Sequence, residues 1–448
     1  MTLQRPTLFA ALGMFAVALI AAVSLAVVCL AAASLAASSL AAAKVKADAE
    51  WPTFRGPERT GVSPDTGLLT EWPEDGPPLL WESAGAGRGY SSICISGGRL
   101  YTLGDGVSTA DDKDEYLCCF DEKDGSPLWK TKTGPAWNSG NSDWQSSRST
   151  PTCGDGLVAV LSPHGELVCC DAATGEEKWR KNLKDDFGGK KADGWGYSES
   201  VTFDGDLLLC TPGGEKNTMV ALKKATGELV WASTREGDRG AGHASIVATQ
   251  IGSTKVYVQS TGSGPMGVRA SDGKLLWTYD IDRTTAVIPT PVVRDDLVYF
   301  VAGYGRGAAL FRQVPEDDGV KIETIYDLKP ALNNKHGGVV LVGDYIYGDS
   351  DDNGVPQCVD LMTGEVKWKE RGSGRGSAVV TAADGHLYVR FQNGIMALAK
   401  ATPDGYEEIS KFEIPESGDR PSWSHQVILG GKLYLREQDK LYCYDLRK

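Results

Sequence analysis

Three observations predict an all-β fold for this sequence, an eight-bladed β-propeller of four-stranded antiparallel blades. Aromatic residues recur at positions 81, 129, 179, 231, 277, 326, 368 and 412, with gaps of 42 to 52 residues. Five of them close a Gly-x-x-x-Trp pattern, and short apolar runs headed by Gly or Asp lie upstream of these patterns. An interval of that length holds one four-stranded blade. The chain has 448 residues, 41% hydrophobic, with 54 Gly, 21 Pro and 12 Trp. That composition excludes a disordered or fibrous protein and allows one large β-rich domain. The net charge of -13 argues against nucleic acid as a partner, because binding a phosphate backbone needs clustered Lys and Arg.

The elements follow in chain order. Arg5 precedes an apolar run from about Leu8 to Ala43, interrupted by Gly13 and scattered Ser. The run is long enough to span a bilayer. Ala41-Ala42-Ala43 and Ala47-Asp48-Ala49 each offer a small-residue cleavage site. Residues 1–43 are therefore expected to be a cleaved signal peptide or, alternatively, an N-terminal membrane anchor. Either places the remainder in the periplasm or cell envelope. Cys29 follows Val27-Val28 where a lipidation site wants small residues, so lipid attachment there is not expected. Residues 44–78 read as an irregular lead-in, since Glu50 to Pro78 is rich in Pro and Gly and lacks periodicity. Residues 79–448 are expected to form the propeller.

Within the propeller the repeat is a turn followed by a strand. Gly125, Gly175, Gly227, Gly273 and Gly364 each follow Thr or Asp and lead to Trp129, Trp179, Trp231, Trp277 and Trp368. Asp121, Asp171, Lys223, Arg269 and Asp360 stand three residues before that Thr or Asp. A carboxylate or hydroxyl there can accept from nearby backbone N–H groups, and Gly supplies the positive φ of the turn. The Trp then sits in the outgoing strand, where its ring can pack between blades. Gly319 to Tyr326 and Gly405 to Phe412 are degenerate versions, and Trp81 has no turn motif before it. The last repeat, from about Trp423 to Leu446, lacks a Trp strand, whereas Leu79-Leu80-Trp81 is a Trp strand without a blade. Both termini are expected to share blade eight, which removes the free sheet edge.

The segments Ala-Ala-Thr-Gly-Glu-Glu-Lys-Trp (172–179) and Leu-Met-Thr-Gly-Glu-Val-Lys-Trp (361–368) resemble the tryptophan-docking repeats of the PQQ-like, quinoprotein-type eight-bladed propeller family. The lead-in Trp51-Pro52-Thr53-Phe54-Arg55-Gly56-Pro57 is similar to that of exported, BamB-like members. The resemblance implies an exported scaffold that does no chemistry of its own. Its partners would be an envelope protein or small ligand, and its N-terminus could associate with the membrane. A monomeric propeller with no cofactor is expected. The alternatives are a PQQ-dependent quinoprotein oxidoreductase, which would need PQQ with calcium, and a carbohydrate or small-ligand binder. The dehydrogenase branch uses a vicinal disulfide beside its cofactor. Cys118-Cys119 and Cys169-Cys170 are vicinal but run into turn motifs, so they read as small buried residues.

Three further signals concern chemistry. Asp349 to Gly354 matches the start of a calcium loop, but strands flank it and Asp360 belongs to a turn motif, so it reads as a polar hairpin tip. No Ser-His-Asp order, phosphate-cradling loop or metal site is expected. The segments entering each innermost strand should rim the central channel, and they gather Tyr90, Arg148, Tyr197, Glu199, His243, His336, Arg375, Trp423 and His425. These nine are the expected ligand- or partner-binding residues, with Trp81, Trp129, Trp179, Trp231, Trp277 and Trp368 as structural docking residues.

Overall fold

The computed structural model of the chain describes residues 50–105, 113–336, 338–351, 353–418 and 420–448. The segment read as export signal or anchor, with Cys29, lies outside the described residues. The described chain forms eight four-stranded antiparallel sheets arranged as the blades of a propeller. Blades 1 to 7 are consecutive meanders spanning 94–135, 152–182, 202–233, 247–278, 292–329, 340–369 and 378–413. Blade 8 combines Val427–Leu429, Lys432–Glu437 and Lys440–Asp445 with the N-terminal strand Leu79–Ala84 on its outside. Trp81 pairs with Cys443 there, as the ring-closure reading required.

Burial explains the strand pattern. The middle strands of a blade are covered on both faces by neighbouring blades, so Leu157–Leu161 and Glu166–Asp171 read as nearly continuous apolar runs. Outer strands such as Pro127–Pro135 alternate exposed and part-buried residues. Between blades 2 and 3, Leu167, Cys169, Leu208 and Val220 meet in one cluster.

The turn motif builds the seams. Asp171 Oδ1 accepts from the N–H groups of Ala173 and Thr174 and from the Thr174 hydroxyl, and Gly175 N–H donates to the Asp171 carbonyl. Gly175 sits at φ +74, and a Cβ built on it would lie 2.5 Å from the Trp129 ring of the preceding blade. Gly125 meets Trp81 in the same way, Gly227 meets Trp179, and Gly273 meets Trp231. The indoles of Trp179, Trp231 and Trp368 donate to the carbonyls of Lys224, Ala270 and Thr402 in the next blade. Trp277 donates to Gln313 across its seam. Tyr326 takes the Trp role against Gly364. The last seam uses a glycine outside the repeat pattern. A Cβ on Gly76, in the lead-in, would fall 2.7 Å from Phe412. The docking glycine of blade 8 therefore comes from the other end of the chain.

The first part of the lead-in contacts the entries to the inner strands blade by blade, and its second part packs between blades 7 and 8. Trp51 exchanges backbone hydrogen bonds with Ile95 of blade 1, and Pro52 accepts from the N–H of Cys153 in blade 2. Arg59 donates to the carbonyl of Val201 at blade 3, and Arg55 to that of Val339 at blade 6. Ser63 N–H reaches Ala382 of blade 7, and Leu69 N–H reaches Leu446 beyond blade 8. Both arginines are buried, and burial pulls each guanidinium down to about 10. They remain charged at neutral pH, and their donors satisfy backbone carbonyls along the inner strands.

Candidate functional site

A cavity of about 600 Å³ opens at the end of the ring where the chain enters the innermost strands. Every blade contributes one equivalent residue to its wall: Tyr90, Arg148, Ser198, His243, Ile288, His336, Gly376 and Trp423. In seven blades this residue stands four positions before the innermost strand begins. Blade 7 differs because its innermost strand starts two residues earlier relative to Gly376. A second ring lies two residues on. There the N–H of Ser92 donates to the Thr150 hydroxyl, Thr150 N–H to Ser200, Ser200 N–H to Ser245 and Ser245 N–H to Thr290. This chain of hydroxyls ties the entries of blades 1 to 5 into one belt.

Six of the nine expected binding residues line the cavity: Tyr90, Arg148, His243, His336, Trp423 and His425. Tyr90 lies 5.0 Å from Trp423 between ring centroids, and Trp423 stacks on His336 at 4.5 Å. The Trp423 indole donates to Gln392. Arg148 donates to the carbonyls of Trp195 and Trp144, and burial lowers its guanidinium to about 10. His425 packs edge-on against Phe54 of the lead-in at 4.7 Å. Burial and then the Arg55 charge hold the His425 imidazole well below its usual range.

Tyr197, Glu199 and Arg375 are corrections to the expectation. Tyr197 is 1% exposed, belongs to the core between blades 2 and 3, and donates to the Pro212 carbonyl. Glu199 is buried, accepts from Thr211 and Gln259, and is pushed up to about 8 by desolvation. Successive residues of an extended chain point to opposite sides. Ser198 and Ser200 face the cavity, so Tyr197 and Glu199 face away from it. The same parity puts Gly376 on the wall and leaves Arg375 exposed outside the lining. Aligning Ser200 with Ser245 in the sequence would have paired Ser198 with His243. Phe54, Trp144, Trp195, Tyr304 and Lys335 also line the cavity. Phe54 comes from the lead-in, Trp144, Trp195 and Lys335 from inter-blade loops, and Tyr304 from a hairpin within blade 5, where no repeat marks a position.

The absence of a Ser-His-Asp order in the sequence conceals such a group in space. Ser198 Oγ lies 2.5 Å from His243 Nδ1, and His243 Nε2 lies 2.8 Å from Asp193 Oδ2. A local register explains the approach. The loop after the short helix Leu183–Phe187 pairs in parallel with the entry to blade 4 at Lys191 and Ala241. Two residues further along, Asp193 and His243 meet. The His243 charge, opposing desolvation, holds Asp193 down to about 2, while burial lowers His243 to about 4.

The vicinal cysteines lie within blade strands, and Asp349, the first residue of the calcium-like segment, is buried and tied into the neighbouring blade rather than standing at an exposed hairpin tip. Cys118, Cys119, Cys169 and Cys170 are buried in blades as free thiols. Asp349 is buried and accepts from Asn334 and the Ala378 N–H, and Asp360 accepts from Thr363 within its turn. No group of three metal-ligating side chains occurs among the described residues.

Residues 113–370 match the model of a family described as outer membrane protein assembly factor BamB. The chain belongs to this PQQ-like propeller family. The assembly factor BamB of Shewanella oneidensis is 25% identical over 248 residues, covering 50% of this chain and 57% of that protein. BamB of Nitrosomonas eutropha is 26% identical over 34% of this chain and 31% of that protein. The matched regions thus span little more than half of the first relative and under a third of the second. Among solved structures, BamB from Moraxella catarrhalis superposes with a TM-score of 0.55 at 15% identity, covering 82% of this chain and 97% of that one. Quinohemoprotein alcohol dehydrogenase from Comamonas testosteroni gives 0.59 at 12% identity, covering 89% and 81%. At these identities both likenesses concern the fold alone.

Quinone chemistry is a poor fit to this cavity. A calcium-bound quinone cofactor needs hard oxygen ligands for its cation, yet among the described residues no Asp or Glu lines the wall. Neither cysteine pair lines it either.

Proposed function

We propose that this protein is an exported, cell-envelope binding propeller that docks a partner segment or small ligand in the cavity at the mouth of its ring. A role in outer-membrane protein assembly, as in the names of its relatives, is the form of this reading that the family supports. The carrying observation is that all eight blades converge one residue each on a single cavity of about 600 Å³. Aromatic faces dominate its wall, with Arg148 and Lys335 as cations. Aromatic residues and Arg are the side chains that most often anchor interfaces. The blades behind them are rigid, so the entry loops can hold a fixed recognition surface.

The test is capture from the native envelope with the wild-type chain and with Trp423→Ala, followed by mass spectrometry. A partner lost with Trp423→Ala but retained by the exposed-surface variant Arg375→Ala supports docking in the cavity. Identical partner sets for all three chains would refute it. Trp368→Ala serves as the stability control. It should cost roughly 3–5 kcal/mol, as for a lost core aromatic, without selective loss of one partner.

A further inference from the structure

We propose that Ser198, His243 and Asp193 form an acyl-transfer site in the cavity wall, acting on carboxylic esters of ring-bearing alcohols. This goes beyond docking, and the docking reading does not depend on it.

The first support is the proton path. Asp193 accepts the Nε2–H of His243, which fixes the tautomer and leaves the Nδ1 lone pair facing the Ser198 hydroxyl. The ring is presented in the opposite sense to most such triads, where Nε2 faces the serine. The requirement met is the same: one ring nitrogen accepts from the nucleophile while a carboxylate holds the other.

The second support is the gradient of exposure. Ser198 is part-exposed on the cavity wall, whereas the His243 and Asp193 side chains are only 6% and 7% exposed. A nucleophile must meet substrate, and its base works best behind it. The same ring holds an internal contrast. His336 Nδ1 lies 2.6 Å from Ser377 Oγ, but Ser377 is 1% exposed and does not line the cavity. That pair serves as a pin between blades.

The third support is the surroundings. Trp195, three residues before Ser198, and Trp144 beside it offer ring faces to the cavity, and Arg148 precedes Ser198 around the rim. Its guanidinium is held on the Trp144 and Trp195 carbonyls and adds positive charge to the surroundings of His243. Burial keeps His243 unprotonated at neutral pH despite Asp193.

The step balances without an oxidant or metal. Ser198 Oγ bonds to the ester carbonyl carbon as its proton moves to His243 Nδ1. The C–O bond to the alcohol breaks, and the alcohol leaves with that proton. Water then gives a proton to Nδ1 and adds to the acyl carbon. Ser198 departs as the hydroxyl, releasing the carboxylic acid.

The experiment uses a fluorophosphonate probe on the full chain, with the adduct located by peptide mass spectrometry, and 4-nitrophenyl acetate turnover above the buffer rate. The expected result is an adduct on Ser198, absent from Ser198→Ala, with turnover in that variant reduced at least tenfold. Asp193 is a positioning residue. Asp193→Asn should slow labelling at least tenfold and move the acid limb of the rate–pH profile downward. The charged groups facing His243 are then Lys191 and Arg148, which both disfavour its protonation. Thermal melting establishes that each variant is folded. A folded wild type with no Ser198 adduct, an adduct elsewhere, or equal turnover in Ser198→Ala would overturn the proposal. The envelope-capture result with Trp423→Ala is read separately.

Discussion

Ring closure rests on a glycine that the repeat does not mark, and Gly76→Ala measures its worth. The added methyl has two effects. At φ +89 an L-residue is strained, at about 1–2 kcal/mol. The new Cβ would also lie 2.7 Å from Phe412 Cγ and 3.0 Å from each Cδ. Phe412 is 4% exposed inside a cluster with Trp72 and Tyr444, so its ring has little room to move. Overpacking of this kind costs about 1–3 kcal/mol. Gly67→Ala is the control, because Gly67 sits at φ +74 with nothing within 4 Å of its Cβ position. The control should lose about 1–2 kcal/mol and Gly76→Ala about 2–5 kcal/mol, with the difference reporting the docking contact. Urea unfolding followed by tryptophan fluorescence gives both values. In a Phe412→Ala background the clash disappears, and the two glycine substitutions should then cost the same. Equal losses in the wild-type background, or an excess at Gly76 that persists without the Phe412 ring, would refute the reasoning.

Three further outcomes are expected. Deleting Glu50–Ser83 should cause aggregation, visible by light scattering, because it bares the strand Lys440–Asp445 and removes the lead-in contacts to the inner-strand entries; deleting only Met1–Ala43 should leave a monodisperse protein. His243 is held down to about 4 against 6.5 in the unfolded chain, so the unfolded state binds the extra proton between these values. Its stabilisation is complete above pH 6.5 and is lost as pH falls toward 4, by up to about 3 kcal/mol at 1.36 kcal/mol per unit. His243→Gln should flatten that part of the acid limb of stability against pH, and an unchanged limb would count against the assignment. Cys94 Sγ and Cys153 Sγ lie 3.0 Å apart on the innermost strands of blades 1 and 2; mild oxidation with diamide should join them, seen as a cross-linked peptide, while a Cys118–Cys119 or Cys169–Cys170 disulfide would contradict the strand geometry.

The sequence by itself determined the architecture, because the repeat encodes it locally. Asp171, Thr174 and Gly175 make their turn with each other, and Trp179 follows at a fixed distance, so five of the blades announce themselves within a dozen residues and their spacing places the rest. Closure was legible for a similar reason: a Trp strand without a blade at one end matches a blade without its Trp strand at the other. The cavity wall was legible only in part. The right segments stand out by their place before each innermost strand, but within one of them Ser198 and Ser200 face inward while Tyr197 and Glu199, the residues with the stronger chemical signal, face away. A single residue of register reverses the direction of every side chain, and only the paired strands fix it. The rest required tertiary structure. Asp193 meets His243 because a loop pairs with the next blade, Gly76 meets Phe412 across 336 positions of sequence, and Phe54 of the lead-in meets His425 at the entry to blade 8. None of these contacts has a local signature, because each is set by the ring bringing distant backbone together.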